Sequence, residues 1–102
     1  MLLLDFHPLV EADLAESAIW YERQQVGLSH RFLIEAHEVF RRLPRDAKLY
    51  AVRFADIRRV NLNSFPHGVF YFLTDEAVVV LAVFHGQRDF QAEVKKRRTT
   101  YG

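Results

Sequence analysis

Cysteine is absent from this 102-residue chain, which excludes disulfides, thiolate metal sites and cysteine nucleophiles. The absence is compatible with the cytoplasm, the expected location. No apolar run approaches the ~20 residues of a membrane helix; the longest, residues 77–84, is strand-sized. The opening MLLLDFHPLVEADL lacks a basic n-region and is broken by Asp5 and His7, so it does not read as a signal peptide. The few glycines and prolines form no linker or low-complexity tract, and no glycine sits in a P-loop or dinucleotide fingerprint. No nucleophile elbow or zinc-ligand motif is present either. The chain therefore reads as one soluble domain over residues 1–102, with no membrane partner, no cofactor and no metal.

What is present is apolar and aromatic. Half of the residues are apolar and 14% are aromatic, nine of them Phe. At this length a chain buries about two-thirds of its unfolded surface, enough for one core. The net charge of +1 hides an asymmetry: residues 1–40 carry two basic and seven acidic groups, residues 41–102 twelve basic and six acidic. Such a split suggests a face for a polyanion or an acidic partner, or mutual neutralisation of the two halves across the fold.

Residues 2–6 read as a strand. Pro8 suits the first helical position, and Val10, Leu14, Ala18 and Tyr21 then recur on one helical face. Gly27 supplies a break. A second helix buries Phe32, Ala36, Val39, Phe40 and Leu43, and Pro44 is expected to end it. So short a loop predicts an antiparallel helical hairpin. Residues 44–56 read as an irregular connection. Val60 and Leu62 then alternate with Arg59, Asn61 and Asn63, residues 69–73 form another strand, and residues 78–84, apolar on both faces, form a central one. The tail 89–102 either adds a helical turn or two or frays. The predicted fold is α+β, a two-layer β-α-α-β-β-β sandwich. Its helical hairpin packs on a mainly antiparallel four-stranded sheet whose other face, with Arg59, Asn61 and Asn63, stays open.

Among five histidines, His30 and His37 lie two helical turns apart, about 10.5 Å, too far to share a zinc ion. His67 opens one strand and His85 closes the next, so a hairpin brings them together with Arg88 at one sheet end. Histidine and arginine there could perform general acid–base and electrostatic catalysis; the alternative is a polar turn that caps the sheet. Arg58, Arg59, Arg88 and the run Lys95, Lys96, Arg97, Arg98 are candidate contacts to a target or partner, and Trp20, off the main helical stripe, is another.

The order of elements, with YERQQVGLSHRFLIEAHEVFRRL, IRRVNLNSFPHGVFYFL and VVVLAVFHGQRD, resembles the RelE/ParE toxin superfamily over residues 3–90. It is most similar there to ParE-type plasmid-stabilisation toxins. The resemblance implies a bacterial toxin of a type II toxin–antitoxin module, neutralised by a cognate antitoxin whose flexible segment wraps the helices and the sheet. RelE-type members cleave mRNA on the ribosome with basic residues and a C-terminal tyrosine; ParE-type members lack that set and poison DNA gyrase. Here Gly68 stands where the RelE pattern wants an arginine and Glu93 near its tyrosine, with Tyr101 several residues late; only Arg88 could match. The resemblance thus implies a gyrase inhibitor that acts by binding, without catalytic residues. The alternatives it leaves are a metal-independent endoribonuclease on the ribosome using His85, Arg88 and His67, and a non-toxic binding module. The open sheet face could also support a homodimer or a toxin–antitoxin hetero-oligomer.

Overall fold

A computed structural model describes residues 1–86 and 89–102. The order is β1 (Leu3–Phe6), α1 (Val10–Gln24), α2 (Leu28–Asp46), β2 (Val52–Phe54), β3 (Ile57–Asn61), β4 (His67–Leu73), β5 (Ala77–His85) and α3 (Gln91–Arg98). The fold is α+β, with the predicted helical hairpin on one face of a sheet ordered β1-β5-β4-β3-β2. β1 runs parallel to β5, and the other pairings are antiparallel. β5 lies between β1 and β4, and its residues are apolar on both sides because the helical hairpin covers one face of the sheet and α3 packs on the other.

The sheet has five strands, not four. β2 lies within the segment expected to be irregular, because three residues with a shifted register against β3 leave no alternation to read. Pro44 does not end α2, which continues to Asp46. In a last turn proline removes only one helical hydrogen bond. Its own carbonyl accepts the Leu2 N–H at 3.3 Å, tying the helix end to β1. At the start of α1, Pro8 lies in the turn before the helix, and His7 Nδ1 accepts the Leu9 N–H at 3.1 Å.

Gly27, at φ 88°, makes the left-handed step between the helices. Glu22 of α1 fixes that corner: its carboxylate accepts the N–H groups of Gly27 and Ser29 and the Ser29 hydroxyl. Those bonds, the Ser29 hydroxyl first, hold the Glu22 carboxyl below its ordinary pKa.

Two cores result. Phe32, Ala36, Val39, Phe40 and Leu43 of α2 meet Val60, Val69, Tyr71, Val78 and Val80 between the hairpin and the sheet. On the other face Ile57, Phe70, Phe72, Val79 and Leu81 pack around Val94 of α3. The tail therefore docks rather than frays, and it covers much of the face expected to lie open. The end of that face carrying Arg59, Asn61, Gly68 and Gly86 remains beyond α3.

Candidate functional site

Both faces of one sheet end carry unusual chemistry. On the hairpin face, β4 and β5 place His67 directly opposite His85, with ring centroids 5.4 Å apart. The expected proximity of the two histidines is therefore present; Arg88, their third proposed member, lies outside the described residues. His67 is buried, and its ring nitrogens meet two hydroxyls of α1: Nε2 is 3.2 Å from Ser17 Oγ and Nδ1 3.4 Å from Tyr21 Oη. Phe32 packs on the ring at 4.9 Å. A neutral imidazole has one N–H and one lone pair, and hydroxyls can serve either. Burial first, then the neighbouring His85, push the His67 pKa down to about 4. His67 is thus a neutral, hydrogen-bonded core histidine near pH 7. Its partners lie 50 and 46 positions away, and no local spacing announces them.

Above these histidines a cleft of about 720 Å³ opens between α1 and the end of β5, lined by Ser17, Trp20, Tyr21, His85, Phe84 and Phe90 among others. Trp20 is 57% exposed there, the position expected of a partner contact. Helical geometry explains it: Ala18 and Tyr21 point at the core, which turns Ile19 and Trp20 outward.

The cleft has a backbone wall. β1 pairs with β5 only as far as Val80, so residues 81–85 lose their neighbour on that side. Asp13 and Arg97 occupy part of the gap. Asp13 Oδ2 accepts the Val83 N–H at 3.0 Å, and Arg97 Nη1 donates to the Leu81 carbonyl at 3.0 Å. The two side chains close on each other in a bidentate pair of 2.7 and 3.0 Å, while Glu93 takes Arg97 Nε at 3.1 Å. Arg97 also lies over the Phe84 ring at 4.7 Å. A residue that reads as part of a charged tail is instead a buried fastener.

The other basic candidates separate in the same way. Arg58 donates to the carbonyls of Tyr50, at 2.6 Å, and Lys48, at 3.4 Å, bracing the connection before β2. Arg98 pairs with Asp56 at 2.9 Å over the Phe72 ring. Lys95 and Lys96 are exposed, with Lys95 above Phe54 at 5.8 Å. Arg59, on the second face, crosses β4 toward Gly86. His30 and His37 are exposed on α2. Among the described residues no group of three His, Asp or Glu side chains could hold a metal ion, and no helix is long and apolar enough to cross a membrane.

Residues 4–90 match the model of a family described as the ParE toxin of the type II toxin–antitoxin system parDE. The chain belongs to the ParE toxin family. In agreement, Toxin ParE2 of Mycobacterium tuberculosis, in the strains CDC 1551 / Oshkosh and ATCC 25618 / H37Rv, is 32% identical over 100 residues, covering 92% of this chain and 93% of the relative. A solved structure titled chromosomal ParDE TA system from P. aeruginosa superposes with a TM-score of 0.75, covering 83% of this chain and 96% of that one. At 16% identity, that likeness shows the fold. The model's match ends where α3 begins, so the Asp13–Arg97 fastener joins this ParE-family core to a segment beyond the matched residues.

Proposed function

We propose that this chain is the toxin of a two-protein module that inhibits DNA gyrase by binding it, and that a cognate antitoxin neutralises it in the cytoplasm. Family membership supports the toxin and its antitoxin. The observation that carries binding over catalysis is the state of His67, the buried member of the candidate catalytic group: both its ring nitrogens meet hydroxyls of α1, at Ser17 and Tyr21. A general base works best with a pKa near the operating pH, and a pKa of about 4 is poorly matched to neutral conditions. The exposed Trp20, at the mouth of a cleft with an incompletely paired strand edge, suits a protein partner that inserts side chains and adds backbone hydrogen bonds.

The test is induced expression with thymidine and methionine incorporation followed side by side. DNA synthesis is expected to stop first while translation persists. Collapse of methionine incorporation within minutes would instead favour ribosome-dependent mRNA cleavage with His85 and Arg88. No change in either would leave a non-toxic binding module.

A further inference from the structure

Arg59 is held in an extended position across the sheet end. It stands on β3 with its side chain lying across β4 at Gly68 and reaching Gly86 past the end of β5. A Cβ at Gly68 would overlap the guanidinium, with Cζ only 2.8 Å away, and one at Gly86 would sit 2.7 Å from Nη2. Neither glycine has a positive φ; only Gly27 and Gly102 do. Glycine at 68 and 86 therefore makes room for the arginine and does not serve an unusual backbone conformation. Asn61 Oδ1 accepts from Nε at 2.7 Å, and the Phe70 ring lies 5.1 Å beneath. The head group is thus positioned from one side and from below.

Among the described residues, the terminal nitrogens Nη1 and Nη2 make no hydrogen bond. Among the described residues no carboxylate lies within ion-pair distance of Arg59, and none is among the charges that act on it. Burial removes part of its water, and the neighbouring charge is another cation, Arg53. A partly dehydrated guanidinium beside a second arginine gains from any anion that reaches it.

The nature of that anion follows from the rest of the surface. Nucleic acid is held by many cations acting together, but here Arg41, Arg45, Arg97 and Arg98 are paired with Glu38, Asp46, Asp13 and Asp56. Arg58 is committed to backbone carbonyls. Lys48, Arg53, Lys95 and Lys96 are exposed and form no ion pair among the described residues, whereas Arg59 is a fork held in place over a glycine shelf, the feature of a local receptor. We propose that Arg59 binds the carboxylate of an Asp or Glu side chain presented by a protein partner. The site is a fork-to-fork pairing laid on the Gly68–Gly86 shelf. This deepens the binding reading above and rests on it only in taking the partner to be a protein.

The test uses the full chain and no biological partner, so its failure is separable from that of the gyrase reading. Arginine Nε–Hε resonances are followed by NMR during titration with acetyl-hexaglutamate amide and, separately, with the phosphodiester hexamer dT6. The peptide is expected to move the Arg59 resonance first and to bind more tightly than dT6. Arg59→Lys keeps the charge but loses the fork, and should weaken peptide binding about tenfold. Gly86→Ala, which displaces Nη2 and leaves the charge in place, should weaken it several-fold. Tighter binding of dT6 would make this a phosphate site and overturn the proposal. An unmoved Arg59 resonance, or undiminished peptide binding by Arg59→Lys, would also overturn it.

Discussion

Arg97→Met is expected to be among the most damaging single substitutions in the chain, lowering stability by about 3–5 kcal/mol. The reason is what it leaves behind. Asp13 and Arg97 are 8% and 7% exposed, and removing one partner strands a buried charge. A domain of this size is stable by only ~5–15 kcal/mol, so the loss is a large share of the total. Replacing a whole buried pair with apolar residues is often nearly neutral, but here each member also satisfies the unpaired edge of β5 at Val83 and Leu81. An Asp13→Leu/Arg97→Met double variant should therefore recover some of the loss and remain less stable than wild type. Denaturant unfolding measures the first effect, and tryptic cleavage at Lys95 and Lys96 reports locally whether α3 has come away. An unfolding midpoint and cleavage rate like wild type in Arg97→Met would contradict this reading of the pair.

The second large effect is a loss of stability in mild acid, centred on His67. Its folded pKa of about 4 lies below the ordinary 6.5. Between those values the unfolded chain binds a proton that the folded chain does not. Stability is therefore fully present above pH 6.5 and falls as pH drops toward 4, by about 3 kcal/mol in all and roughly 2 kcal/mol by pH 5. His7 is also lowered, by burial first and then by Arg97, and adds a change of the same sign. The carboxyl of Asp56, held down mainly by Arg98, contributes at lower pH, also in the same direction. The contribution of His67 is isolated by comparing unfolding free energies of wild type and His67→Gln from pH 7.5 to 5. The variant should lose less on acidification by roughly 2 kcal/mol. Equal slopes in the two proteins would contradict a buried neutral His67.

The hairpin, the central strand and the meeting of His67 with His85 were all legible, because each rests on local information. An apolar stripe with period 3.6 marks a helix, an uninterrupted apolar run marks a doubly covered strand, and a tight turn fixes which residues face each other. The features that were not legible depend on distant partners. Nothing around Arg97 distinguishes it from Lys96; its burial depends on Asp13, 84 residues away. The docking of α3 rests mainly on Val94 and Arg97, too few positions to form a stripe. β2 is too short to alternate. The two glycines near the histidines could be seen in the sequence, but their purpose became clear only with Arg59 lying over them.

Inhibition of gyrase by binding is tested by plasmid supercoiling with purified DNA gyrase and the purified chain added in increasing amounts. Dose-dependent loss of supercoiling is expected, relieved when the cognate antitoxin is added first. Undiminished supercoiling at a large excess of folded protein would contradict it.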